Sequence, residues 1–284
     1  MNIRSITTRT LLAFGLVLFS TQVAMAAPAT KKTPTLTGID VSYPQCQVKL
    51  PVNHAFGIVG VNGGKATTGN PCLSQQLSWA HKAVGGTSQD KVQLYVNTAN
   101  PGGLDTPSWP QDNIDPSGGF IAGNPHGVCL GDDSLACAWQ YGWNRAQEDV
   151  VTWFGTSVKQ AGVNADPTAY IWWLDVELEN SWKLGKSDFD YASNITVLEG
   201  LTEYLTNNKM RVGLYSTAYQ WGEVTGGKVN EQSNLNGKPN WRPGGYNQAS
   251  AKQACEASAL TAGGSVILAQ YISRGLDYNV SCID

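Results

Sequence analysis

The stretch Ile171-Trp172-Trp173-Leu174-Asp175-Val176-Glu177 is the most informative part of this chain. It predicts a short, apolar strand that ends in two carboxylates two residues apart. Side chains along a strand alternate between its two faces, so Asp175 and Glu177 project from the same face. The residues that alternate with them need an apolar layer on the other face: Trp172, Leu174 and Val176. The stretch therefore predicts a buried strand with an acidic end.

Two carboxyl groups held side by side repel each other, which tends to keep one of them protonated near neutral pH. Glycosidases use this arrangement, with one carboxyl as acid and another group that stabilises or attacks the sugar cation. Two alternatives stay open on the motif alone: a calcium site, or an Asp/Glu pair that caps a helix. The motif needs support from the rest of the chain.

Strands and helices alternate along the chain. Seven further strands are predicted at 38–42, 56–61, 92–96, 212–216, 240–241, 266–271 and 277–280. Helices are predicted at 73–83, 138–160, 195–205, 218–224 and 248–259. This alternation indicates a single α/β domain, and the short apolar strands are typical of a parallel sheet. About eight strands, without GxGxxG after the first, favour a closed barrel over a doubly wound sheet.

Several polar residues fall late in these strands or just beyond them. They are Asp40, Asp175, Glu177, Tyr215, Gln270 and Asp277. In (β/α) barrels the catalytic groups lie at the C-terminal ends of the strands. We therefore expect the four acids to converge at one end of a barrel, and we expect the other three to raise the pKa of Glu177.

The N-terminus predicts export. Arg4 and Arg9 precede an apolar run at 11–19, and Ala24-Met25-Ala26 supplies a cleavage site, so residues 1–26 are predicted to be a signal peptide. Residues 27–37 then form a leader, and 38–284 the barrel domain. No later stretch approaches the ~20 apolar residues of a membrane span. A secreted protein without a membrane anchor is expected.

Six cysteines follow the predicted signal peptide, and an even number in an exported chain predicts disulfides. Fifteen pairings are possible. The spacing favours three local ones: Cys46–Cys72, Cys129–Cys137 and Cys255–Cys282. A zinc site would instead need CxxC or CxxH pairs, which the sequence lacks.

The composition limits the classes of molecule that the protein is expected to bind. Charged residues make up 14% of the chain, with a formal net charge of −3, and no basic run suggests nucleic-acid binding. Gly, Asn, Ser and Thr are abundant, which favours a neutral surface suited to a glycan. We expect a monomer without cofactor or metal. Three tryptophans in polar segments are candidates for stacking on sugar rings: Trp109, Trp182 and Trp241.

The chain resembles the family-25 glycoside hydrolases, the Ch-type lysozymes. Five motifs occur in the family's order: Gly38-Ile39-Asp40-Val41-Ser42, Asp175-Val176-Glu177, Tyr215-Ser216, Gln270-Tyr271 and Asp277-Tyr278-Asn279. The resemblance implies an irregular TIM-like barrel of about eight strands and fewer helices. The chain departs from the family after the first motif, at Tyr43-Pro44-Gln45-Cys46, which indicates a divergent secreted branch.

The resemblance also implies an activity, the cleavage of peptidoglycan between N-acetylmuramic acid and N-acetylglucosamine. Glu177 would be the general acid, and Asp175 would stabilise the cation or orient the N-acetyl group. Asp40 and Asp277 would complete the acidic ring, and an acetamido-assisted retaining route would fit. Substrate-binding roles would fall to Tyr215, Gln270, Tyr271 and Asn279. Two alternatives remain: a glycan-binding protein that does not cut, and a protein whose acids bind a cation.

Overall fold

A computed structural model gives the structure of the protein and describes residues 36–103 and 106–284. The predicted signal peptide at 1–26 lies outside the described residues, as does the predicted leader at 27–37 except for its last two residues. Within the described ranges, no helix is long and apolar enough to cross a membrane.

Eight strands form a closed barrel in which each strand neighbours the next in chain order. The strands are β1 Thr37–Val41, β2 Gly57–Gly60, β3 Val92–Asn97, β4 Ile171–Asp175, β5 Arg211–Tyr215, β6 Pro239–Pro243, β7 Ser265–Ser273 and β8 Leu276–Ser281. The predicted closed barrel is therefore confirmed, including the short sixth strand.

The expectation of a parallel sheet is right for β1 to β7 and wrong for β8. Strand β8 runs antiparallel to both β7 and β1. The cause is the two-residue turn Arg274-Gly275, whose φ angles are 53° and 75°. Two residues with positive φ make the hairpin turn that matches the twist of antiparallel strands, and glycine takes this conformation without strain.

Six α-helices lie in the described part of the chain: α1 Leu73–His81, α2 Leu135–Gln147, α3 Gly155–Ala161, α4 Asp188–Asn207, α5 Ala218–Thr225 and α6 Gln248–Ala254. The predicted helix at 138–160 is interrupted, because the π-helical segment Glu148–Phe154 separates α2 from α3. The predicted helix at 248–259 ends earlier, at Ala254. The barrel is thus irregular, with fewer helices than strands.

The π-helical segment brings a charged residue into the interior. Asp149 is only 1% exposed. Its burial raises the pKa of its carboxyl group, and the nearby positive charge of Arg145 opposes this rise. Such segments are frequent at functional sites.

Strand β4 separates two apolar layers. Trp172 and Leu174 pack between the barrel and its helices. Trp173 points into the barrel with Phe56 and Trp241. Full burial of a large apolar side chain contributes about 1.5–3 kcal/mol, so both layers stabilise this strand. The alternation places Asp175 on the inner side, with Trp173, as the sequence predicts.

Helices α2 and α4 pack with their backbones in close contact. A β-carbon at Gly142 would lie 2.0 Å from the carbonyl oxygen of Val197. A β-carbon at Gly200 would lie 2.2 Å from the carbonyl oxygen of Trp139. Only glycine fits at these two positions without moving a helix.

All three predicted disulfides are confirmed: Cys46–Cys72, Cys129–Cys137 and Cys255–Cys282. The last of them joins the residue after α6 to the residue after β8. The second joins Cys129, in the loop before α2, to Cys137 in the first turn of that helix.

Candidate active site

One end of the barrel opens into a cavity of about 220 Å³. The residues that line it come from seven of the eight strands, all except β2, and from the loop that follows β4: Asp40, Tyr95, Asp175, Glu177, Tyr215, Trp241, Gln270, Ile272 and Asp277. The four acids selected from the sequence therefore lie in one cavity, although they come from both ends of the chain.

The strand directions explain this convergence. Asp175 and Tyr215 are the last residues of β4 and β5, and the two lie opposite each other. Asp277 is only the second residue of β8, yet it reaches the same end because β8 runs in the opposite direction. Its position directly opposite Asp40 fixes the two carboxylates on neighbouring strands.

Three side chains hold Asp40 in place. The Nε2 of Gln270 donates to both carboxylate oxygens, at 3.1 and 3.2 Å. The Nδ2 of Asn279 donates to one of them at 2.6 Å. The hydroxyl of Tyr215 in turn donates to the Oε1 of Gln270 at 2.8 Å, which fixes the amide with its NH2 toward Asp40. The carboxylate of Asp40 is therefore rigidly oriented.

The electrostatics of Asp40 oppose its ionisation. Burial raises its pKa well above the ordinary value, and the charge of Asp277 raises it further. The hydrogen bonds from Asn279 and Gln270 lower the pKa, without reversing the rise. An incoming positive charge would stabilise the ionised form of this carboxyl.

The side chain of Asp175 is deeply buried. It is 6% exposed, and its Oδ1 has no hydrogen-bond partner among the described residues. Burial raises its pKa well above the ordinary value, and the charges of Glu177 and Asp40 add to this effect. Asp175 therefore contributes to the cavity wall with one carboxyl oxygen that is buried and has no partner among the described residues.

Glu177 lies just beyond the end of β4. Burial raises its pKa to about 7, and the charges of Glu179 and Asp277 contribute. The pKa of Glu177 is therefore raised as expected, but the neighbouring charges that raise it are in part different from those predicted. Glu179, which the sequence reasoning did not select, contributes the largest charge effect in place of Asp175 and Asp40. Near neutral pH a large fraction of Glu177 still carries its proton.

Two residues selected from the sequence do not line the cavity. Tyr271 points to the opposite side of β7, where it packs near α6 and stacks on Tyr278 with ring centroids 5.4 Å apart. Asn279 is fully buried and bonds to Asp40. Substrate contact by these two stays a prediction: in the structure Tyr271 packs on the outside of the sheet and Asn279 positions Asp40.

All three candidate tryptophans are buried, Trp241 at 2% exposed the most deeply, and their stacking on sugar rings stays a prediction. Trp241 lines the cavity, and its ring lies 4.4 Å from that of Tyr215. Trp109 and Trp182 are 4% and 9% exposed, and their indole nitrogens donate to backbone carbonyls. Those two do not line the acidic cavity.

The sequence reasoning missed Tyr95 and Ile272 as well as Glu179. Tyr95 shares one face of β3 with Gln93 and Asn97, while Leu94 and Val96 lie on the other, so the two-residue period of that strand was a usable signal. Ile272 lies opposite Asp277 in the hairpin, which becomes visible only once β8 is known to be antiparallel.

The arrangement of possible metal ligands bears on the alternative in which the acids bind a cation. Across residues 36–103 and 106–284, no group of three or more His, Cys, Asp or Glu side chains is arranged to hold a metal ion. The cavity instead offers carboxyl groups of raised pKa beside aromatic rings and an amide. Such a set can donate a proton and then stabilise positive charge on a bound molecule.

No family model matches the chain, and no curated protein matches it in sequence. Three solved structures are similar to it. The catalytic domain of an endolysin from bacteriophage P40 of Listeria monocytogenes is 16% identical, with a TM-score of 0.44 over 87% of this chain and 92% of that one. A family GH25 lysozyme from Aspergillus fumigatus is 14% identical, with a TM-score of 0.47 over 86% and 92%.

The third structure is the spore cortex lytic enzyme SleM of Clostridium perfringens. It is 11% identical, with a TM-score of 0.49 over 88% of this chain and 68% of that one. All three TM-scores are below 0.5, so these likenesses assign no function to this chain.

Proposed function

We propose that the protein is a secreted glycosidase that cleaves the glycan strands of peptidoglycan as a muramidase does, with Glu177 as general acid. The observation that supports this most strongly is the pKa of about 7 at Glu177, in a cavity that holds three further acids. A general acid works best when its pKa lies near the working pH. The order of the five sequence motifs supports the choice of substrate.

In the proposed reaction the carboxyl proton of Glu177 passes to the glycosidic oxygen while the bond from that oxygen to the anomeric carbon breaks. The leaving sugar departs with a hydroxyl group, and positive charge develops on the other sugar. The carboxyl groups of Asp40 and Asp175 line the same cavity and, in their ionised forms, would stabilise this charge.

The substrate's own acetamido oxygen would then bond to the anomeric carbon in place of a protein nucleophile. Water attacks that carbon and opens the ring so formed, and Glu177, now a carboxylate, takes the proton from the water. The acid is thereby regenerated, and the configuration at the anomeric carbon is retained.

Secretion is part of the proposal. Three disulfides are typical of proteins that fold in an oxidising compartment outside the cytosol. The predicted signal peptide at 1–26 agrees with this location.

A second candidate is a glycan-binding protein that does not cut. The strong burial of Asp175, which raises its pKa well above the ordinary value, favours this candidate, because a protonated carboxyl stabilises a cation poorly. The aromatic rings of Trp241 and Tyr215 would serve binding as well as catalysis.

An assay on purified peptidoglycan distinguishes the glycosidase from the glycan-binding protein. The wild-type protein should release new reducing ends, with products identified by mass spectrometry. Glu177→Gln keeps the shape and removes the proton donor, so the rate should fall by about 100-fold or more. Glu256→Gln, at an exposed position after α6, is the matched control and should keep the full rate. Wild-type protein that binds the polymer and releases no product would instead establish the binding protein.

A further inference from the structure

A second, larger cavity of about 550 Å³ lies beside the acidic one. Its walls come from the loops that follow β2, β3 and β4, together with one face of α2. The charged residues among its walls are Lys65, Arg145, Glu148 and Glu179. Nothing in the proposed reaction at Glu177 uses the first three of them.

Glu179 connects the two cavities. Its carboxylate lines the larger cavity, and its charge raises the pKa of both Glu177 and Asp175. Asp175 ends β4, and Glu177 and Glu179 follow at every second residue, at the same end of the barrel. A polymer bound over Glu177 therefore passes next to the larger cavity.

Arg145 provides a fixed positive charge in the wall. It is 8% exposed, forms an ion pair with Glu148, and lies over the ring of Tyr141 at 5.6 Å. Its charge also favours ionisation of Asp149, which is buried within the π-helical segment. Its Nε has no hydrogen-bond partner among the described residues. Glu148 and Tyr141 thus hold the guanidinium in place at the wall of the cavity.

The other walls have complementary chemistry. Lys65 is exposed and adds a second positive charge, while Glu148 and Glu179 supply negative ones. Hydroxyl groups and an amide fill the remaining polar positions: Thr67, Thr106, Ser108, Asn180 and Ser181. A neutral sugar ring has no charge that these side chains could balance. A cavity with fixed charges of both signs fits a ligand that itself has a carboxylate and an ammonium group.

We propose that this cavity binds a short peptide of mixed charge that is attached to the glycan strand cut at Glu177. The carboxylate of the peptide pairs with Arg145 and Lys65, and its ammonium group pairs with Glu148 or Glu179. This inference rests on the proposed function, since it assigns a second recognition element to the same polymer.

Two forms of one polymer test the proposal. Intact peptidoglycan retains its peptides, and the same material treated with an amidase provides bare glycan strands. Wild-type protein should cleave the intact form with the higher kcat/KM. Lys65→Met should lower kcat/KM about fivefold on the intact form, as loss of one exposed charge pair predicts, and leave the bare strands unaffected. Lys91→Met, exposed before β3 at the opposite end of the barrel, is the matched control.

Arg145→Lys gives a stronger test that keeps the charge beside Asp149. It should lose about tenfold on intact peptidoglycan, because lysine cannot replace the planar guanidinium. Thermal melting checks that this variant folds. If it does not, Lys65→Met and the direct titration below decide the question. Equal cleavage of the two polymers by the wild type, or equal losses on both in Lys65→Met, would overturn the proposal while the glycosidase assignment stands.

A direct measurement separates this inference from the proposed function. A tripeptide released from the same peptidoglycan is titrated into wild-type protein and into Lys65→Met by calorimetry. Binding to the wild type that weakens in the variant supports the cavity assignment, even if neither polymer is cleaved and the glycosidase proposal fails. Absence of binding to the wild type overturns the cavity assignment.

Discussion

Asp40 and Asp277 lie directly opposite each other where β8 closes the barrel against β1. Like charges at such a pair of positions destabilise a sheet. The charge of Asp277 accordingly raises the pKa of Asp40. Gln270 and Asn279 donate hydrogen bonds to Asp40 and offset part of this cost. Retention of two opposed acids at the mouth of a cavity is expected of a site kept for function at the expense of stability.

The first prediction concerns the pH dependence of activity. Glu177 must be protonated to act, and its pKa is about 7, so kcat/KM should fall as the pH rises through 7. Glu179→Gln removes the charge that contributes most to the pKa of Glu177 after burial. Its alkaline limb should therefore lie at lower pH, by roughly half a unit to one unit. Rates of reducing-end release from bare glycan strands, measured from pH 4 to pH 9, check both expectations.

An alkaline limb in Glu179→Gln at the same pH as in the wild type would show that Glu179 does not influence the acid. Glu256→Gln serves as the control for a remote, exposed glutamate and should keep the wild-type profile.

The second prediction concerns the hydrogen bond from Tyr215 to Gln270. Tyr215→Phe removes the hydroxyl that fixes the amide of Gln270, so the donor to Asp40 loses its orientation. Since the carboxylate of Asp40 is then held less rigidly, kcat should fall about tenfold, with a smaller change in KM. Steady-state kinetics on peptidoglycan measure the two parameters. A rise in KM at unchanged kcat would instead place the Tyr215 hydroxyl in substrate binding.

The third prediction concerns the contact between α2 and α4. Gly142→Ala places a methyl group against the backbone of α4, so it should destabilise the protein by about 1–3 kcal/mol or more. Helix propensity alone would give the opposite sign, about 1 kcal/mol in favour of alanine. Gly222→Ala in α5 is the control, because its β-carbon meets nothing within 4 Å. Urea unfolding should show the first variant destabilised and the second stabilised.

The sequence predicted what local patterns determine. Short apolar runs located all eight strands, and the spacing of the cysteines gave the three disulfides. The ends of β4 and β5 could be located because the carboxylates and Tyr215 directly follow apolar runs. These features depend on residues close together in the chain.

The features that the sequence reasoning missed depend on geometry between elements. Arg274-Gly275 is a sequence typical of a hairpin turn. It can be recognised as one only when β7 and β8 are known to extend up to it, and both strands were predicted to end short of these two residues. Gly142 and Gly200 permit a helix contact that has no local period. The π-helical segment changes the helical register by one residue, which a 3.6-residue pattern cannot reveal. Asn279 could be recognised as a support for Asp40 only when both strands were in place.

The last prediction concerns stability. The pKa of Glu177 is about 7 in the folded protein, against an ordinary value of 4.5. Between these pH values the folded state binds a proton that the unfolded state has released, so stability falls as the pH rises from 4.5 to 7. Glu177→Gln cannot ionise and escapes this loss. The variant should therefore be more stable than the wild type at pH 8, by up to about 3 kcal/mol at ~1.4 kcal/mol per pKa unit.

Thermal unfolding of both proteins at pH 4 and pH 8 tests this sign. The two melting temperatures should nearly agree at pH 4, where the carboxyl is mostly protonated in both states, and differ by several degrees at pH 8. A variant that melts below the wild type at pH 8 would mean that the ionised carboxylate stabilises the fold. In that case Glu177 could not be the proton donor that its burial and its acidic neighbours predict.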